Sequence, residues 1–252
     1  GGDLVSNNLL FNTCRESGDH GPINSWDRQA FLTTLKDGHT KSFEPLPRVI
    51  RNNFIIANYG ASEAVDNDDG SSWFHIHHNL FYDSYGFKMD YGGHDSVFED
   101  NLSIALPAGR SQCFGMGGFV EGHSDILRRN RCVVGLGQAS LQLLQTGLVE
   151  EEEKDDVDDL IGTLWGGCEE SSSPARLSFN EYYTPTGSAS IQCGGDSKYT
   201  LEQVQDEFGL ELNSTVRILP EIKTILDWAE DLLHGNEMIP NDEGMHATTE
   251  YA

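Results

Sequence analysis

The chain has 252 residues, enough for one sizeable core, and its 37% apolar and 10% aromatic content is that of a folded protein. Sixteen basic against 41 acidic residues leave a net charge of -25, which excludes general binding to nucleic acid or anionic membranes because phosphates would be repelled. No run of eighteen apolar residues is present to span a membrane, so soluble partners, neutral glycans and metal ions are the classes that remain.

The N-terminal stretch "GGDLVSNNLLFNTC" does not show the basic segment followed by an apolar one that marks a signal peptide. It opens within a repeat, as the C-terminal part of a longer solenoid would. The repeat is anchored on asparagine: "NLLFNTCRESG" from Asn8, "NFIIANYG" from Asn53, "NLFYDSYG" from Asn79, "NLSIALPAG" from Asn101 and "NRCVVGLG" from Asn130. Each is followed by β-prone residues and then a glycine. Short β-prone runs precede the later members: "RVIRN", "WFHIHHN", "SVFEDN" and "DILRRN". The intervals are 45, 26, 22 and 29 residues, the first containing an insertion. Units of this size without a helix-length amphipathic run predict stacked strands, each repeat burying its neighbour's apolar face. The expected fold is an all-β solenoid over residues 1–147.

Between these anchors lie the candidate functional residues. "ESGDHGPINSWDRQAF" (16–31) offers Trp26 as an aromatic face for a sugar ring and Asp27 with Arg28 as hydrogen-bonding or carboxylate-clamping groups. Its Gly18, Gly21 and Pro22 shape a loop that carries Asp19 and His20. "VDNDDGSS" (65–72) sets Asp66, Asp68 and Asp69 thirteen, eleven and ten residues before Asn79, and "KMDYGGHDS" (88–96) sets Asp90 eleven before Asn101. Asp68 and Asp90 therefore share an offset and should stack about 4.8 Å apart, one strand spacing. His94 and, in "FVEGHSD" (119–125), His123 each lie seven before an asparagine and should stack likewise, with Glu121 nearby. Alternation along "FHIHH" puts His75 and His77 on one face and His78 on the other.

From residue 148 the pattern breaks. "VEEEEKDDVDD" (149–159) reads as a solvated acidic loop, "RLSFNEYYTP" and "SASIQCGG" as strands, and "TLEQVQDEF" as a helix opened by Thr200. "EIKTILDWAEDLL" is a second helix after Pro220. Residues 148–252 are thus expected to form a mixed C-terminal cap, not an independent domain. Five cysteines show no zinc-site spacing; Cys168 and Cys193 flank a Ser-rich segment and could be bridged. The sequons at Asn101 and Asn213 are N-glycosylation acceptors of a kind that fits a secreted, extracellular protein.

The recurring turn asparagine resembles that of right-handed parallel β-helix proteins of the pectate-lyase-like superfamily. "NDDG" and "GGH" are similar to the Asp-Asp and Gly-His elements of polygalacturonase-type β-helix glycosidases, although Asp95 or Ser124 follows Gly-His here. That resemblance implies glycoside hydrolysis of a polysaccharide, with Asp68, Asp69 and Asp90 as the acid and base groups and His94 and His123 orienting them or the sugar. Crowded carboxylates supply the required asymmetry, because like charges raise one pKa. The competing reaction is β-elimination, with Arg28 or Lys88 and calcium held by Asp66, Asp68 or Asp69. Hydrolysis requires no cofactor. A non-catalytic extracellular solenoid that binds glycan or self-associates into a fibre is the reading from another class.

Overall fold

The computed structural model describes residues 1–16, 18–26, 46–56, 63–105, 112–135, 159–169 and 176–235. The strands come in successive sets of three. The first is β1 (Leu4–Ser6), β2 (Leu9–Phe11) and β3 (Ile23–Ser25); the second is β4 (Arg48–Arg51), β5 (Phe54–Ile56) and β6 (Glu63–Asn67). Then follow β7 (Phe74–His77), β8 (Leu80–Tyr82) and β9 (Tyr85–Met89), and after them β10 (Val97–Glu99), β11 (Leu102–Ala105) and β12 (Phe114–Met116). The next sets are β13 (Ile126–Arg128), β14 (Arg131–Val134) and β15 (Leu160–Leu164), then β16 (Arg176–Ser178), β17 (Glu181–Thr184) and β18 (Ser190–Cys193). The last elements among the described residues are β19 (Lys198–Thr200), helix α1 (Leu201–Phe208), β20 (Thr215–Ile218) and helix α2 (Ile222–Leu233).

Each set gives one strand to each of three sheets, in the orders β1-β4-β7-β10-β13-β16, β2-β5-β8-β11-β14-β17-β20 and β19-β18-β15-β12-β9-β6-β3. All pairings are parallel except β18 with β19. This mostly-β arrangement with two short helices is compatible with the expected β-helix. All three sheets run on past residue 147, since β16, β17 and β18 pair in parallel with β13, β14 and β15.

Stacking places like residues over like. The inward row of the first sheet is Ile50, Ile76, Phe98, Leu127 and Leu177, all buried. Phe98 stacks on Phe87 of the third sheet at 4.7 Å and on Phe81 of the second at 6.0 Å, so the three sheets share one interior. At the end of that interior, α1 inserts Leu201 and Val204, and Thr200 caps it in a reciprocal box with Gln203. The second helix covers the outside of the second sheet: Ile225 and Leu232 pack with Leu80, Leu102, Ile104 and Val133, and Trp228 lies under the Arg131 guanidinium at 4.1 Å. Both helices fall where the sequence places them.

The asparagines form a ladder at the turn between the first and second sheets. Oδ1 of Asn53, Asn79, Asn101 and Asn130 each accepts from the backbone N–H of the asparagine one repeat earlier, at 3.0–3.1 Å. Each Nδ2 donates to the next Oδ1 as well. The residue before each adopts a left-handed conformation: Asn52, His78, Asp100 and Arg129 have φ of 53°, 55°, 54° and 52°. That bend turns the chain from one sheet to the next and leaves the amide pointing inward. Asn180 extends the ladder, accepting from Asn130 N–H at 2.9 Å, and Ser214 with buried Glu211 terminates it. Asn180 escaped the sequence alignment because 50 residues separate it from Asn130, although "RLSF" before it has the same β-prone character.

Two disulfides join Cys168 to Cys193 and Cys113 to Cys132, and Cys14 is a half-buried free thiol. The second bridge was not foreseen, since its cysteines lie on different sheets. Asn101 corrects one expectation: its side chain is fully buried and its Nδ2 bonds Ile76 O, Glu99 O and Asn130 Oδ1, so the folded protein leaves it no room for a glycan. Asn213 is exposed.

Candidate functional site

The outward face of the third sheet carries the polar strip. Strand alternation sends Val65, Phe87 and Phe114 inward and Asp66, Lys88 and Gly115 outward in one row with Asn24 and Thr163. Just past the strand ends runs a second row, held by backbone hydrogen bonds between neighbouring repeats: Trp26, Asp68, Asp90, Gly117 and Trp165. The shared offset of Asp68 and Asp90 thus translates into adjacency.

Asp66, although first among the acids, is not presented to a ligand. Its side chain is fully buried and accepts from Gly21 N–H at 3.2 Å and Asn24 Nδ2 at 3.0 Å. Gly21 can approach so closely only because it has no Cβ, which would lie 2.1 Å from Glu63 O. The same contact anchors the loop bearing Asp19 and His20, both exposed. Lys88 sits among the acids, its ammonium 3.1 Å from Asp66 Oδ1, 3.1 Å from Asp68 Oδ1 and 3.8 Å from Asp90 Oδ2. Burial opposes its charge, but the Asp66 and Asp68 carboxylates outweigh that and hold it protonated well above the usual lysine range.

Carboxylate oxygens of Asp68, Asp69 and Asp90 lie within 4.8 Å of one another. Burial pushes the Asp90 carboxyl up; Lys88 and the Tyr91 N–H partly offset this, and the charges of Asp68 and Asp69 add to it. One member of the trio is therefore easier to protonate than an ordinary aspartic acid. Trp26 is 59% exposed and Trp165 41% exposed, one on each side of the acids in the same row. The Trp165 indole rests against β12, where a Cβ on Gly115 would come within 2.9 Å of the ring. From Trp26 to Trp165 is four strand spacings, about 19 Å. Trp165 escaped notice because "TLWGG" follows the acidic run, outside the recognised repeats.

His94 is brought to a different neighbourhood. Its Nδ1 is 2.8 Å from Asp95 Oδ2, and His123 Nδ1 reaches the same oxygen at 2.6 Å. The two rings lie side by side with centroids 4.2 Å apart and planes tilted by 49°, as neighbours at a common offset. Burial would raise the Asp95 carboxyl, but the bonds from His94 and His123 hold it below its ordinary value. Glu121 is exposed on the preceding turn. Asp27 and Arg28 lie outside the described residues, as does the acidic run apart from Asp159, which is buried and accepts from the Thr186 hydroxyl.

A third polar cluster lies outside the first sheet. Glu99 accepts from Arg128 Nε at 2.7 Å and Arg129 at 2.8 Å and meets His75 at 2.8 Å. His78 does not point away from His77; its left-handed φ of 55° folds it back, and their Nδ1 atoms are 2.9 Å apart. Burial, with the charges of His75 and His78, lowers the His77 pKa from 6.5 to about 4. The unfolded chain takes up a proton near pH 6.5 that the folded chain refuses until about 4, so acidification across that window favours unfolding. Allowing for solvent screening, the loss should be about 1–2 kcal/mol. His77→Gln should flatten the fall of urea-unfolding free energy between these pH values by that amount; an unchanged slope would assign the acid sensitivity elsewhere.

No protein-family model matches the chain, and no significant match to a curated protein or a solved structure is found. Function has to be argued from the site. Among the described residues no helix is long and apolar enough to cross a membrane.

Proposed function

We propose that the chain is a right-handed parallel β-helix of the pectate-lyase-like kind whose third sheet carries a glycoside-hydrolase site for a largely neutral polysaccharide. The fold reading is supported by the cyclic order of strands through three parallel sheets and by the asparagine ladder at one corner. The observation that carries the activity is the convergence of Asp68, Asp69 and Asp90 within 4.8 Å, with Asp90 pushed toward its protonated form by burial.

In this reading Asp90 gives its proton to the glycosidic oxygen, Asp69 is the partner carboxylate on the other side of the bond, and Lys88 holds Asp68 in place. The short separation favours the retaining route, which needs carboxyls about 5–5.5 Å apart, over inversion at about 6.5–9.5 Å. Trp26 and Trp165 stack on sugar rings either side of the cleaved bond. Elimination is the weaker reading for two reasons. Lys88 is held protonated, so it cannot serve as base. A polyuronate would also meet the three carboxylates and a net charge of -25. Two disulfides and the exposed sequon at Asn213 support an extracellular setting.

A panel of plant and algal polysaccharides, neutral and uronate-bearing, tests this. New reducing ends without absorbance from unsaturated ends are expected on neutral chains. Unsaturated ends on uronates would establish the lyase, and no cleavage of any substrate would leave a non-catalytic solenoid as the better account.

A further inference from the structure

A second constellation stands apart from the three aspartates and is unused by the hydrolysis. It comprises His94, Asp95 and His123, on two successive turns that lead into the first sheet. We propose that these three side chains form a binding site for a single transition-metal dication of the zinc type.

The donors converge. His94 Nδ1 and His123 Nδ1 lie 2.8 and 2.6 Å from the one oxygen, Asp95 Oδ2, and all three donor groups are within 4.8 Å of one another. A tetrahedral ion with bonds of about 2.0–2.2 Å needs its ligand atoms roughly 3.3 Å apart, a spreading of about 0.5–0.7 Å from the distances here. Two imidazole nitrogens and one carboxylate oxygen suit zinc, cobalt or nickel, whereas calcium and magnesium prefer all-oxygen sets.

The surroundings hold the donors in place. The backbone N–H of His94 donates to Ser72 Oγ at 3.2 Å, its ring meets the edge of Trp73 at 5.0 Å, and its side chain is 1% exposed. Asp95 Oδ1 accepts from Ser124 N–H at 3.4 Å, leaving Oδ2 for the two histidines. Asp95 and His123 keep 31% and 21% of their side-chain surface. An ion can therefore enter from that side and retain water in its fourth position. Asp125, fully buried, accepts from Ser96 N–H at 2.9 Å and so ties the turn that carries Asp95 to the next repeat.

The stacking explains how such a site arises. His94 and His123 occupy the same offset on adjacent turns, so parallel register alone sets their rings side by side. Asp95, with φ of 55°, turns its carboxylate back between them. The shared carboxylate is also what a purely hydrogen-bonded trio would show, so the test must separate the two.

Protein stripped with a chelator should be titrated with zinc and with cobalt, following heat, bound metal per chain and the cobalt visible spectrum. One equivalent is expected, with a spectrum showing nitrogen ligation and a higher Tm. His123→Gln and Asp95→Asn should each weaken binding at least about 100-fold, more than the about 10–100-fold lost when a group that only orients a ligand is removed, while His78→Gln, in the other histidine cluster, should not. Calcium at the same concentration should neither bind there nor displace cobalt. Absence of uptake by the wild-type chain, or uptake unaltered in both His123→Gln and Asp95→Asn, would overturn the proposal. Circular dichroism identifies which variants remain folded, and either one suffices. Because the readouts are metal content and spectrum, the outcome is independent of whether any polysaccharide is cleaved.

Discussion

Asp90→Asn is expected to slow polysaccharide hydrolysis by roughly 10²- to 10⁴-fold, the usual size of general acid–base assistance, with the fold intact. Asparagine keeps the shape of the side chain and can still accept from Tyr91 N–H, which bonds Asp90 Oδ1 at 2.9 Å. It cannot deliver a proton. Because burial raises the carboxyl pKa in the folded state, Asp90 stabilises the fold least at pH values where it is ionised beside Asp68 and Asp69. Removing that charge should leave the Tm at neutral pH unchanged or slightly higher. In the wild type, ionisation of Asp90 should set the alkaline limb of the kcat/KM profile, and the variant's residual activity should lack that limb. A variant that hydrolyses normally would remove Asp90 from the role of acid. One that is inactive and also unfolded would show that Asp90 is structural.

Asn101→Ala should cost about 3–5 kcal/mol, among the largest effects of any single substitution. Its Oδ1 accepts from Asn79 N–H and Nδ2, both at 3.0 Å, and its Nδ2 serves Ile76 O, Glu99 O and Asn130 Oδ1 at 2.9–3.0 Å. The alanine would strand the Asn79 N–H and two carbonyls where water cannot reach, since Asn101 is fully buried. Each stranded group costs about 1–3 kcal/mol. Asn8, the exposed first member of the ladder, provides the contrast. Asn8→Ala should cost under about 1 kcal/mol, because, of the two acceptors its Nδ2 serves, Ser6 O can turn to solvent and Asn53 Oδ1 keeps the backbone N–H of residue 8. Urea titrations of the two variants compare them directly. Equal losses would show that the ladder does not carry the stability assigned to it.

The repeat was legible because a parallel stack demands the same residue type at the same corner every time: the amide must satisfy two backbone groups and its neighbour at once. Five asparagines at the head of matched segments therefore revealed the register. From it came the adjacency of Asp68 with Asp90 and of His94 with His123. Asn180 was missed only because a long insertion hid its interval. Asp95 shows nothing of its role in "GGHDS", since a left-handed turn residue gives no sign in sequence of which way its carboxylate faces.

Composition and offset thus determined which repeats stack and which acids become neighbours along the sheets, because offset is a one-dimensional property that parallel pairing preserves. Only the tertiary structure decided what each neighbour does. It buried Asp66 against Gly21 and Asn24, set Lys88 among the acids, and separated His94 from Asp68, Asp69 and Asp90. It also carried Trp165 and Cys113 to partners on other repeats or sheets. Those outcomes depend on strand alternation and on the φ of single turn residues, which rotate a side chain from solvent to interior without altering its place in the repeat.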